Sequence, residues 1–156
     1  MKYKFLSAVL LLATPMFGAD AAGATLWTTG QFASIAKDLA AKMGEKKSGM
    51  VQLMKEKDFN AIVFYREESG SAEIHDTLAE FLIVRSGEGA VLVGGTAVNP
   101  KPTGPGEKRG DRVEGGTKYT LSAGDVLYIP ANTPHQVLVD RGKLLNVMVV
   151  KMEVQK

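Results

Sequence analysis

The chain has 156 residues, of which 45% are hydrophobic and 23% charged, with a formal net charge of +2 and no cysteine. That length and balance fit one compact domain with a true core. They exclude a disulfide-held scaffold and a Cys-anchored lipoprotein, and any metal bound here must use nitrogen and oxygen ligands.

The chain opens on MKYK, a short basic stretch, followed by FLSAVLLLATPMFG, an apolar run too short to span a bilayer. Ala19-Asp20-Ala21 then places small residues where a signal peptidase reads. Residues 1–21 therefore read as a secretory signal, and the periplasm or the exterior of the cell is the expected location. Cleavage removes Lys2, Lys4 and Asp20, so basic residues fall from 19 to 17 and acidic ones from 17 to 16, leaving a net charge near +1. Such a balance argues against a nucleic-acid surface and against an anionic-membrane surface.

Residues 22–48 are expected to form an N-terminal helical extension. TTGQFASIAKDLAAKM, residues 28–43, sets Phe32, Ile35, Ala36, Leu39, Ala40 and Met43 on one helical face. Thr28 or Thr29 can cap its start and Gly44 ends it. The helix is expected to pack against the outside of the main body.

From residue 49 onward the pattern changes to short β-like runs broken by turns. Strands are predicted near 50–55, 60–67, 71–76, 79–85, 89–94, 117–121, 125–129, 135–140 and 143–152. With no helices between them, they point to an all-β sandwich or barrel over residues 49–156. SGEG (86–89), SAGD (122–125) and DRGK (140–143) each offer Gly for a tight reversal. Residues 93–116, rich in glycine and proline, read as a long loop: a hairpin tip, or a cover over a pocket mouth with Arg109 or Arg112 facing an anionic ligand. The apolar last strand, LLNVMVVKM, would extend a sheet across a homodimer interface.

The chain has two histidines. His75 lies in EIHDTLAE between Glu73 and Glu80, and His135 lies in IPANTPHQV. In a strand Glu73 and His75 share a face. DTLA is expected to turn the chain, so that antiparallel pairing brings Glu80 back beside His75, with Glu80, Leu82 and Val84 facing inward. The second segment aims His135 inward together with Val137 and Val139, its turn fixed by Pro130, Asn132 and Pro134. Two acids and an imidazole on a buried face are costly unless something neutralises them, and a divalent cation would.

These two segments resemble the two motifs of the cupin superfamily. The first motif runs His-x-His, a short gap, Glu, six residues, Gly; here Glu73, His75, Glu80 and Gly87 stand at those places. The second runs Gly, five residues, Pro-x-Gly, two residues, His, three residues, Asn; here Gly124, Pro130, Asn132, His135 and Val139 stand there, so that Asn132 replaces a Gly and Val139 the final Asn. The resemblance implies a small jelly-roll β-barrel with the motif residues lining its interior. It also implies a divalent metal ion (Fe, Mn, Ni or Zn) held by His75, Glu80 and His135, with Glu73 as fourth ligand. As catalytic groups it offers Glu73 or Glu80 for moving a proton. A small, oxygen-rich ligand would bind at the metal, with dioxygenase, lyase or isomerase chemistry all open. The alternatives are a module that binds a metabolite or sugar without turning it over, and a structural barrel filled by side chains.

Overall fold

The structure, a computed structural model, describes residues 23–154. The expected export segment, residues 1–21, lies outside the described residues.

Helix α1 (Thr29–Lys42) starts where the sequence offers a cap: the Thr28 hydroxyl accepts from the Gln31 amide, and the Gln31 side chain returns the bond to the Thr28 amide. A single 3₁₀ turn (Gly44–Lys46) leads into β1 (Ser48–Lys55) and β2 (Phe59–Arg66). Then come β3 (Ala72–His75), the 16-residue β4 (Leu78–Val93) and the short β5 (Thr96–Ala97). They are followed by β6 (Lys101–Gly104), β7 (Glu107–Gly110) and β8 (Val113–Glu114). The chain closes with β9 (Thr117–Ser122), β10 (Val126–Ile129), β11 (His135–Leu138) and β12 (Leu145–Glu153). No helix among the described residues is long and apolar enough to cross a membrane.

One curled antiparallel sheet contains most of these strands, in the order β1-β2-β12-β4-β11-β3-β7-β6, with β9 and β10 also paired to β4. The curl depends on β4. Its first half pairs with β12 and β10, and its second half with β11 and β9. Between the halves the register slips: Val84 faces Val147 and Ser86 faces Asn146, leaving Arg85 as the extra residue of a bulge. Gly87 follows at φ +79°, where a Cβ would fall 2.1 Å from the Leu144 carbonyl oxygen. Only glycine fits. The SGEG segment is therefore a bend within one strand and not the expected reversal, because the Glu88 amide donates to the Leu144 carbonyl and carries the ladder onward.

Three further expectations change. The last strand, β12, is not a sheet edge that could extend the sheet to a second copy, because β2 and β4 pair with its two sides. The anticipated hairpin between 71–76 and 79–85 does not form: β3 pairs with β11 and β7, and the first half of β4 pairs instead with β10 and β12. The link between them is held from outside the hairpin, with the Asp76 amide donating to Gly106 and the Val154 amide to Thr77. Residues 93–116 are not a bare loop either. β6 and β7 form a hairpin that extends the wall beyond β3, and β5 pairs with β8. Ala97 and Val113 bury themselves against Ala72. The glycines that read as loop punctuation supply the turns of this hairpin, Gly106 at φ +68° among them.

Strand alternation fills both sides of the sheet. Ile62 and Phe64 point into the interior beside Leu82, Val147 and Val149, whereas Val63 and Tyr65 point outward onto α1. All six residues of the predicted helical face lie in that outer cluster, together with Trp27 and Met148.

Candidate metal centre

Three strands deliver the motif residues to one point. Glu73 and His75 come from β3, Glu80 from the start of β4, and His135 from the start of β11. His135 is the register partner of Glu73. Asn132 sits at φ +57°, in the left-handed region that a Gly or Asn tolerates, and its amide donates to the His75 carbonyl at 2.7 Å. This turn therefore ties the second motif to the first and sets where His135 enters. His75, His135 and Glu80 are buried, at 2%, 3% and 4% exposure. Glu80 reaches His75 across the barrel interior and not along a hairpin.

Hydrogen bonding fixes both imidazoles the same way round. His135 Nδ1 lies 3.0 Å from the Thr133 carbonyl oxygen, which can only accept, so Nδ1 carries the proton. His75 Nδ1 lies 2.5 Å from Glu107 Oε2 and donates to it. Each ring is thus anchored through Nδ1 and turns Nε2 inward. Both Nε2 atoms face one carboxylate: Glu80 Oε1 is 3.1 Å from His75, and Glu80 Oε2 is 3.1 Å from His135. Glu73 Oε2 stands 3.6 Å from His75 Nε2. Donor atoms of Glu73, His75 and His135 lie within 4.8 Å of one another.

The electrostatics match the geometry. Burial alone would raise the Glu80 carboxyl, but its hydrogen-bonding contacts with His135 and His75 and the charge of Lys151 outweigh it and hold Glu80 well below the ordinary carboxylate range. Glu73 is also raised by burial, and Arg109, with Nη1 2.6 Å from Glu73 Oε1, brings it below its usual value. For His135, burial favours the neutral ring; the bond to Glu80 and the Glu80 charge win and push it upward. A carboxylate held ionised against two inward nitrogens is a cation-accepting arrangement.

Two members of this cluster, Lys151 and Glu107, are not among the site residues expected from the sequence, and a third, Arg109, has another partner than expected. Lys151 of β12 places Nζ 2.8 Å from Glu80 Oε1 and 3.0 Å from His75 Nε2. The signal of Lys151 was present, because it follows Val147 and Val149 on one face of a largely apolar strand. Glu107 left no such signal, lying in a segment without alternation. Arg109 was marked for an anionic ligand and instead pairs with Glu73, while Arg112 pairs with Glu114 on the surface.

The free space among Arg66, Glu73, Glu80, His135 and Lys151 is small, about 40 Å³. A larger groove of about 620 Å³, bordered by Lys47, Glu67, Ser69, Arg141 and Lys143, contains none of the candidate ligands Glu73, His75, Glu80 and His135. Glu73, Glu80, His135 and Lys151 border the smaller space.

No protein-family model matches the sequence, and no curated protein does. Solved structures do match. The Cnp3 cupin domain of Schizosaccharomyces pombe aligns with a TM-score of 0.53 at 11% identity, over 69% of this chain and 66% of that one. The chain folds as a cupin-type small domain. TT1209 from Thermus thermophilus matches this cupin barrel with a TM-score of 0.55 at 16% identity, over 75% and 92% of the two chains. The DMSP lyase DddQ from Ruegeria pomeroyi matches at 0.52 and 15%, over 74% of this chain and 51% of that one. The cupin barrel thus spans about two thirds of the Cnp3 domain and half of the lyase. At these identities the likeness establishes the fold.

Proposed function

We propose that the barrel binds one divalent transition-metal ion through His75 Nε2, His135 Nε2 and Glu80, with Glu73 as a fourth ligand or as the adjoining proton carrier. The observation that carries this reading is the common anchoring of both histidines through Nδ1, which presents two Nε2 atoms to one ionised carboxylate. Metal-ligating histidines usually have their second nitrogen fixed in this manner, by a carboxylate or a backbone carbonyl. Two His and one carboxylate suit Fe, Mn, Ni or Zn and leave coordination positions open.

Such an ion would supply Lewis acidity to a bound oxygen atom. The protein groups divide the remaining work. Glu80 has both oxygens engaged by the imidazoles and serves as a ligand. Glu73 is oriented by Arg109 and is 17% exposed, so it is the carboxylate with room to accept or return a proton. A cavity of about 40 Å³ is far below the several hundred Å³ of ordinary small-molecule pockets, which favours a very small oxygen-bearing ligand. The apolar remainder of the lining, with Ile62, Phe64, Val137 and Val149, also supports a second reading in which the ligand is held without turnover. Export through residues 1–21 belongs to the same proposal and is tested by the mass of the processed chain.

Elemental analysis of untagged protein, purified as its host processes it, tests the metal centre beside the His75→Ala/His135→Ala double variant. About one equivalent of metal, lost in the double variant, is the expected result. Absence of metal from both after reconstitution with Fe(II), Mn(II), Ni(II) and Zn(II) would sink the reading. Assay of the reconstituted protein against small oxygen-bearing compounds then separates turnover from simple binding.

A further inference from the structure

Lys151 takes the place that a cation would take. It ends the inward series Val147, Val149, Lys151 and stands directly across the ladder from Glu80. Its Nζ lies 2.8 Å from Glu80 Oε1 and 3.0 Å from His75 Nε2, and those two acceptors are 3.1 Å from each other. The ammonium therefore bonds the same two atoms that the metal reading needs.

The two uses are incompatible at His75. With its proton on Nδ1 and directed to Glu107, the imidazole has a single lone pair, on Nε2. An ammonium has three donors and no acceptor, so it engages that lone pair only by donating to it. A metal ion needs the same lone pair at about 2.0–2.1 Å. One displaces the other. The lysine is able to leave: its side chain is 14% exposed and hangs on a flexible four-carbon stem that can carry the charge toward water.

We propose that Lys151 is a built-in competitor for the metal, so that ammonium and divalent ion hold the His75–Glu80 pair by turns. The inference rests on the metal reading above and adds to it the residue that limits affinity. Without metal, Lys151 keeps two inward acceptors satisfied and the barrel closed around them. Metal entry turns the ammonium outward, so binding is weaker and more reversible than the ligand set alone would give.

The test measures Zn(II) and Mn(II) affinity by competition with a chromophoric chelator, in the untagged wild type and in Lys151→Met, Lys151→Gln and Lys151→Arg. Circular dichroism and thermal unfolding verify folding. The neutral variants are expected to bind at least about tenfold more tightly, the usual scale for a change beside a metal ligand, while Lys151→Arg stays near wild type. Unchanged or weaker binding in the folded neutral variants overturns the competition and leaves the metal site standing. If no protein binds either metal, the metal reading fails and the competition fails with it. A second measurement needs no variant: with ¹³Cε-labelled lysine, Zn(II) should move the Lys151 resonance of the wild type, and a resonance that stays put while metal binds overturns the inference.

Discussion

Follow β12 and the first half of β4 along their shared ladder and the barrel interior changes character within six residues. At one end, Leu145 and Val84 are almost wholly buried among Val91, Leu121 and Val139. At the other, Lys151 faces Glu80, and Glu80 faces two imidazoles. Both ends arise from the same alternation, every second residue pointing inward. They differ in what burial demands. An apolar side chain gains by leaving water wherever it packs, whereas a buried charge must find its partner at hydrogen-bonding distance. The apolar end is therefore tolerant of exact neighbours and the charged end is not.

The largest expected effect breaks the apolar end. Leu145 is 0% exposed, so Leu145→Ala removes three buried carbons and leaves a cavity, which costs about 3 kcal/mol in chemical denaturation. Metal stoichiometry in the folded fraction should be unchanged. A loss of metal equal to the loss of stability would show that the two ends are one cooperative site and that the contrast is false.

Glu80→Gln sharpens the contrast from the other side. It keeps the shape and removes the charge that Lys151, His75 and His135 share. The expected cost is smaller, about 2 kcal/mol, because the His135 ring, no longer raised by the carboxylate, can give up its proton. Metal binding should be lost almost completely. A variant as stable as wild type that still binds a full equivalent would remove Glu80 from the ligand set.

How much of this was readable in the chain follows the same division. The helix face around Phe32 and Leu39, the inward positions of Leu82, Val84 and Val139, and the burial of both histidines all obey local periodicity, and the sequence shows them directly. Glu73, His75, Glu80 and His135 were found because motif spacing marks them. The partners were not. Glu107 reaches His75 only because β7 pairs with β3, a pairing made by a hairpin within a stretch that reads as loop. The link from His75 to Glu80 was expected from a local hairpin, but it crosses the barrel between walls that a single bent strand, β4, holds together. Turn residues announce a change of direction without stating its size, and so Gly87 read as a reversal when it makes a bend. Lys151 was legible and passed over, a lone charge in phase with Val147 and Val149.

The smallest expected effect is the most selective, because the apolar end has nothing to titrate. In metal-free protein the Glu80 and Glu73 carboxyls lie below their ordinary value of 4.5, so their contribution to stability is full above that value and falls as pH drops through the folded-state values. His135 has the opposite sign. Its folded-state value is raised above 6.5, so its contribution is full below 6.5 and disappears as pH climbs through the raised value. The cluster therefore stabilises most between about pH 4.5 and 6.5 and less on either side. Denaturation in the presence of chelator, repeated across that range for wild type and Glu80→Gln, isolates this term from the surface carboxylates, which both proteins share. In Glu80→Gln the bond that raised His135 is gone and burial, which lowers it, prevails. The alkaline decline should then flatten or reverse. Parallel curves for the two proteins would mean that the pH dependence comes from elsewhere, and that the charged end of the barrel is as indifferent to protons as the apolar end.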